Sequence, residues 1–419
     1  MTKKAIYFQN EFNPANAPAG TQCITYTKED GFQFYDDGKI TTVTSDTDKM
    51  QTNEIDKLTE RITILETKVA GGILEDGDYV TITSVSSAFN IPEKTVTIYG
   101  KEMENTTTPV SGSAKEIFAD NITANAEVAL TGTVLLNVTN ASISGDCSLV
   151  STSGDVKVDT LSITANGGTV VRANAEKNLV INNYTTKGQF KTQTNQINVE
   201  YAEDIVINNA AFNAGGYNTI MIAQPTSTTQ EASVPSSIVI QNNTFTNVTN
   251  NAINIDRTTD NANILINNCN FIDCSNPIRF RNYNYARGMK AVISGCIFNK
   301  WETNSEYEGA VILEDRYSYN EYIKDHPKPA ADATSGITSG AWVSGLIEFA
   351  KIKAPFGPDK LTMTFENCKF PEGKPEYTSE NISGYMGTEP SGRFAYIWVP
   401  GANATLEYDE KVYPKIEFK

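Results

Sequence analysis

The sequence predicts a mainly β chain wound into a right-handed parallel β-helix, a solenoid, and three observations carry that expectation. A short motif recurs. Ile205-Val206-Ile207-Asn208-Asn209-Ala210-Ala211-Phe212 returns as Ile238-Val239-Ile240-Gln241-Asn242-Asn243-Thr244-Phe245 and as Ile264-Leu265-Ile266-Asn267-Asn268-Cys269-Asn270-Phe271. Its copies are regularly spaced: starts at 179, 205, 238, 264 and 291 are separated by 26, 33, 26 and 27 residues. A strand, an Asn turn and an aromatic residue repeating with a period in the twenties is the signature of stacked coils. The composition agrees, because 28 Gly and many Asn and Thr residues lie between short apolar runs, which suits strands and tight turns more than helices.

The elements follow in chain order. Residues 1–49 form a short aromatic, turn-rich segment with Tyr7-Phe8, Phe32-Gln33-Phe34-Tyr35 and Asp36-Asp37-Gly38. It is too small for a good core of its own and reads as a few strands that need a partner. Residues 50–72 change in kind. Ile55, Leu58, Ile62, Leu65 and Val69 fall at spacings of 3, 4, 3 and 4, the seam of a coiled coil. About three heptads are marginal without association, and Gly71-Gly72 ends the run. A single amphipathic helix lying on a core is the plainer alternative, but the apolar stripe is narrow and its neighbours read as β. Ile at a and Leu at d favours two strands. Arg61-Ile62-Thr63-Ile64-Leu65-Glu66 instead resembles the trimer signature Arg-h-x-x-h-Glu, where h is apolar. Arg61 at g and Glu66 at e can pair between chains, and a trimer is the expectation.

Residues 73–375 form the β-rich shaft, with the solenoid over roughly 120–375. Asn183, Asn209, Asn242, Asn268 and Asn367 share one repeat position, where an internal amide ladder is expected. Phe212, Phe245, Phe271, Phe298 and Phe370 share another and should fill the interior, while Cys269, Cys296 and Cys368 share a third. A second strand repeats as Thr219-Ile220-Met221-Ile222, Ala252-Ile253-Asn254-Ile255, Pro277-Ile278-Arg279-Phe280 and Ala310-Val311-Ile312-Leu313. It reads inward-apolar and outward-mixed, with one buried face. The first strands are apolar throughout, so a lone solenoid would show Val180, Val206, Val239, Leu265 and Val292 as a lengthwise stripe. Such a stripe marks an interface; the alternative is that a loop of the same chain covers it. Residues 316–360 interrupt the repeat with a Tyr-rich insertion read as a surface loop. Residues 376–419 lose it, and Trp398, Tyr408, Tyr413 and Phe418 are expected to cap the open end.

Composition removes several function classes. Thirty-four Lys and Arg against 50 Asp and Glu leave a formal charge of −16, which gives no electrostatic reason to coat nucleic acid or anionic lipid. The N-terminus has no apolar core of a secretory signal and no run is long enough to span a membrane, so folding in a cytoplasm is expected. Six scattered Cys with no CxxC pair read as reduced, buried thiols, with no metal or disulfide. The catalytic candidates lie on the outer face of the second strand, where Asp256, Arg281 and Glu314 occupy matching positions with Arg257, Arg279 and Asp315 nearby. Glycoside hydrolysis wants two carboxylates at a set separation, whereas an Arg between two acids keeps both ionised. The column therefore reads as a solvated charge ladder contributing about 0–1 kcal/mol per pair. The single His, His326, sits between Asp325 and Pro327 in an expected exposed loop with no nucleophile to serve.

A short N-terminal anchor, a trimeric coiled coil and a parallel β-helix resemble the virion fibres and tailspikes of bacteriophages, head fibres in particular, and the repeat looks like pectate-lyase-like solenoids. The resemblance covers most of the chain as architecture, and no catalytic motif transfers residue by residue. It implies a non-enzymatic homotrimer in the virion, held to a capsid or tail protein through residues 1–45. It also implies adhesion to host glycans by the outward part, for which Tyr317, Tyr319 and Tyr322 are the expected contacts. Oligomerisation is expected from Ile55, Leu58, Arg61, Ile62, Leu65, Glu66 and Val69, and no cofactor or metal site is expected. The alternative is a tail fibre or tailspike that depolymerises host polysaccharide.

Overall fold

The computed structural model describes residues 22–27, 31–36, 39–42, 79–82, 88–100, 106–167, 169–191, 194–213, 217–225, 233–299, 309–330, 340–371, 393–402, 404–406 and 408–419. The expected coiled coil, from Ile55 to Val69, lies outside them. The chain divides into two compact units, Met1–Val80 and Thr81–Lys419. In the first, Gln22–Thr27, Gly31–Asp36 and Lys39–Thr42 form a three-stranded antiparallel sheet.

The second unit is a parallel β solenoid in which each coil contributes strands to three faces. On the first face Asn178–Asn182, Asp204–Asn208, Ser237–Gln241, Asn263–Asn267, Met289–Ser294 and Leu361–Glu366 pair in parallel, each with the next. The short strands of the second face carry the aromatic position: Tyr184–Phe190, Ala211–Asn213, Thr244–Thr246, Asn270–Ile272 and Ile297–Phe298. The third face stacks Val171–Ala175, Ile197–Val199, Asn218–Ile222, Asn251–Ile255, Asn276–Phe280 and Gly309–Glu314. Earlier coils use longer strands, Val110–Ala124, Val128–Ile143 and Asp155–Gly167, and parallel pairing is already present at Phe89–Ile98, well before residue 120. It also runs past 376: Arg393–Val399 pairs with Gly309–Glu314, and Lys415–Phe418 with Leu361–Glu366.

The interior follows the repeat. Inward residues alternate with outward ones, and Ile205, Ile207, Ile238, Ile240, Ile266 and Ile293 are fully buried. Phe212, Phe245, Phe271, Phe298 and Phe370 stack face to face, with ring centroids 4.9–5.1 Å apart, and Tyr184 joins the column at 5.0 Å. This spacing is close to the ~4.8 Å between neighbouring strands, so the backbone ladder itself sets the ring separation.

The Asn position needs correction. Asn183, Asn209, Asn242, Asn268 and Asn367 do share a corner, and all five have φ between 48° and 56°. They turn the chain from the first face to the second in the left-handed region, which Asn tolerates better than most residues. Their side chains are exposed. Asn209 donates to Asn183 and Asn268 to Asn242, but Asn242 reaches across to Asn208. The buried amide ladder lies at another corner, where Asn218 Nδ2 donates to Asn195 Oδ1 and Asn251 Nδ2 to Asn218 Oδ1, both at 2.9 Å. Immediately after the first corner sits a buried column that the side chains of Asn243, Cys269 and Cys296 share with half-buried Cys368. Each donates to a first-face carbonyl of the coil before: Ile207, Ile240, Ile266 and Ile293. The five described cysteines are free thiols, and burial pushes Cys147 and Cys274 up to about 12.

The insertion is helical, not a loop. Helices Arg316–Asp325 and Gly340–Lys353 pack together. Asp315 caps the first, accepting from Ser318 N at 2.8 Å. Trp342, Leu346 and Ala350, one turn apart, form the buried stripe of the second. Among the described residues no helix is long and apolar enough to cross a membrane.

Candidate functional site

The third face carries the chemistry. Register places Met221 beside Asn254, Asn254 beside Arg279 and Arg279 beside Ile312. Two residues further on, the next outward column runs Asp256, Arg281, Glu314 and Trp398. The expectation of matching positions is met, but the expectation of a solvated face is not. Every residue of the strands Asn218–Ile222, Asn251–Ile255, Asn276–Phe280 and Gly309–Glu314 is buried, outward side chains included.

Asp256 and Glu314 are 0% exposed and Arg279 and Arg281 only 5% and 7%, so this is an interior ion network. Arg281 lies between the two acids, with its Nη1 3.1 Å from Asp256 Oδ2 and its Nε 3.2 Å from Glu314 Oε2. Glu314 also pairs with Arg279 and with Arg316, the first residue of the first helix. Arg279 and Arg316 both lie over the Trp398 ring, at 5.5 and 5.8 Å. Asn254 Nδ2 donates to Asp256 Oδ1 at 2.8 Å, and Arg281 Nη2 to Tyr283 OH at 2.9 Å.

Burial sets the titration. It pushes Asp256 up to about 6 even though Arg281 and the Asn254 hydrogen bond pull the other way. It pushes Asp315 up to about 7, against the hydrogen bonds from Ser318. Arg279 is lowered to about 10, first by burial and then by Arg281. A raised acid stacked two rungs from a second carboxylate is the raw material of a glycosidase. Here both acids are enclosed and bound by guanidinium groups, which suits a strut between coils. Breaking such a buried network is costly even when forming it contributes little net stability.

The three expected tyrosines separate. All lie on the Arg316–Asp325 helix. Tyr322 is buried, stacked on His326 at 4.3 Å and edge-on to Trp342 at 5.5 Å. Tyr319 is half-buried beside Gly401, where an added Cβ would come within 2.5 Å of its ring. Tyr317 stacks on Tyr285 with centroids 4.4 Å apart. His326 is the exposed C-cap of that helix, and its carbonyl accepts from Trp342 Nε1 at 2.9 Å. The insertion thus yields one surface aromatic pair, and its partner Tyr285 went unnoticed in the sequence. The signal for Tyr285 was the dense run Asn282-Tyr283-Asn284-Tyr285 in a coil that otherwise keeps the repeat.

The stripe on the first face is present. Val180, Val206, Val239, Leu265 and Val292 are directly paired rung to rung and half-exposed. Lys157 precedes it and Thr364 follows. No protein-family model matches the chain, and neither a curated protein nor a solved structure matches it.

Proposed function

We propose that the chain is the protomer of a homotrimeric bacteriophage fibre. In this reading it is joined to the capsid through residues 1–45, adheres to host surface glycans through the solenoid, and has no catalytic role. The observation that carries the reading is the stripe. Five apolar side chains in register are flanked on one side by Asn182, Asn208, Gln241, Asn267 and Ser294, all uncharged, in a chain of net charge −16. An apolar line with an uncharged polar border on one side, and with Asp204 and Lys290 the charged residues on the other, suits an interface core. Three solenoids side by side would bury it, and the seam from Ile55 to Val69, with Arg61 and Glu66, would set their register. The enclosure of Asp256 and Glu314 supports a structural reading over a polysaccharide-cleaving spike, which needs carboxylates open to a sugar chain.

Light scattering tests the assembly. A mass about three times 45.8 kDa is expected, with Val239→Asp and Ile62→Asp each weakening it by burying a charge. A monomer at micromolar concentration would overturn the reading. Deleting residues 1–45 should leave a soluble trimer that no longer joins the particle.

A further inference from the structure

The loop between Phe280 and Met289 has an unusual backbone. Tyr285 is at φ 57° and Asn282 at φ 27°, uncommon for non-glycine residues and costly for a bulky one. The surroundings hold it there. Asn282 Nδ2 donates to Pro355 O at 2.6 Å, Ala286 N to Asn282 Oδ1 at 2.9 Å, and Tyr285 OH to Lys353 O at 2.8 Å. Held strain of this kind concentrates at binding sites.

What the strain achieves is a placed ring. Tyr285 backs Tyr317 in a stack 4.4 Å apart, and Arg287 and Lys360 lie 5.4 and 5.3 Å from the Tyr285 centroid. Tyr317 is left half-exposed. The charges beside the pair are largely neutralised: Lys324 pairs with Glu321 and Lys360 with Asp359. Arg287 is exposed and its guanidinium forms no ion pair among the described residues, although Asp260 accepts from its backbone N at 2.8 Å and its charge helps to hold Asp359 low. A rigid aromatic platform, hydrogen-bonding side chains held in pairs and one free guanidinium are what a sugar ring bearing a carboxylate requires. Its apolar face stacks on the ring, and its carboxylate takes the guanidinium in a two-bond fork.

The geometry points to a subsite for an acidic sugar residue, a uronic acid or similar carboxylated ring, on Tyr317 and Arg287. This rests on the adhesive part of the proposed function and narrows it to one ligand chemistry and one place. The pairing of Lys324 and Lys360 with carboxylates argues against a general polyanion site.

Calorimetry on the full chain with hexagalacturonate, a dextran oligomer of equal length and polyphosphate tests it. Hexagalacturonate is expected to bind, dextran to bind at least about tenfold more weakly, and polyphosphate to gain nothing from Tyr317. Arg287→Ala and Tyr317→Ala should each weaken hexagalacturonate by about tenfold or more, while Tyr317→Phe keeps the ring and most of the affinity. Arg287 is exposed, so its variant folds normally and decides the matter alone if Tyr317→Ala is unstable. No hexagalacturonate binding overturns the subsite, as does binding indifferent to Arg287→Ala. Polyphosphate binding as tight as hexagalacturonate and as sensitive to both variants also overturns it. Capsid incorporation depends on residues 1–45 in a separate assay, so loss of sugar binding with normal incorporation removes the subsite and leaves the fibre.

Discussion

The coils before Ala175 and those after Asn178 share one plan of three strands per turn, yet they close their corners and fill their interiors differently. In the early coils strands of 13–16 residues bend from the first face onto the second without a break. Among the described residues no position before Gly167 has positive φ. Their second-face interior is aliphatic and small: Ile122 and Ala124, Ala141 and Ile143, Leu161 and Ile163. In the later coils a residue in the left-handed region cuts each corner, Asn in five coils and Gly295 in the sixth, and an aromatic ring fills the space behind it. Outward third-face side chains of the early strands Val128–Ile143 and Cys147–Ser151 are half-exposed, whereas those of Asn251–Ile255 and Asn276–Phe280 are covered. A sharp corner and a large ring go together, because a kinked coil leaves a pocket that a bent strand does not.

The largest expected effect falls on the ring column. Phe245 touches rings above and below, so Phe245→Ala should cost about 3–5 kcal/mol. A solenoid transmits such damage mainly to its neighbours. Hydrogen exchange should therefore lose protection around Phe212 and Phe271 while Val128–Ile143 stays protected. Equal loss in both regions would show that the two halves fold as one cooperative unit.

Glu314→Ala comes next. It strands Arg279, Arg281 and Arg316 beside an empty site, and removing one partner of a buried network typically costs about 3–5 kcal/mol. The early-coil comparison is Lys157, whose pair with Asp159 at 3.3 Å is well exposed. Lys157→Ala should change stability by about 0–1 kcal/mol. Chemical denaturation of the two variants measures the contrast directly.

How much of this the sequence discloses depends on what repeats. The ring column, the Cys269–Cys296 column and the first-face strands were legible because an interior position recurs at a fixed offset from the apolar triplet. The early coils were not, since Ala, Ile, Val and Leu alternate there without a marker and the strands run past the corner. The buried amide ladder could have been found: Asn218-Thr219-Ile220 and Asn251-Ala252-Ile253 open successive third-face strands with Asn. Burial of the Asp256–Arg281–Glu314 column could not. Register follows from the repeat, but whether an outward face meets water depends on how other parts of the chain come to lie over it. The helix from Arg316 was hidden by its Tyr and Asn content, although Asp315 and Ser318 form a recognisable start.

A pH series sharpens the same contrast with a smaller effect. Asp315 titrates near 7 and Asp256 near 6 in the folded chain, against about 3.9 for an unfolded Asp. Between those values the folded chain holds protons that the unfolded chain has released, so stability falls as pH rises from about 4 to about 7. The early coils bury no carboxylate among the described residues. Asp315→Asn keeps a capping side chain and should flatten the fall in Tm over that window. An unchanged slope would assign it elsewhere.

The smallest effect tests the corner itself. Asn242 has φ 56° and an exposed side chain, so its replacement changes backbone preference far more than packing. Asn242→Gly relieves the steric cost and forfeits the 2.9 Å bond to Asn208 Oδ1 and the long 3.4 Å bond from Asn268, both exposed. The two changes offset each other to within a few tenths of a kcal/mol, with some loss from the freer unfolded chain. Asn242→Ala cannot make that bond and meets the left-handed penalty of roughly 1–2 kcal/mol. The expected order is therefore native and Gly close together, with Ala lower by about 1 kcal/mol in denaturant midpoint terms. At Asn140, inside the unbroken strand Val128–Ile143, the order should reverse, because Gly in a strand interior loses about 0.5–1 kcal/mol to Ala. If Asn242→Ala were as stable as Asn242→Gly, the corner would be held by its neighbours and not by the residue. The contrast between kinked and bent coils would then have to come from the rings alone.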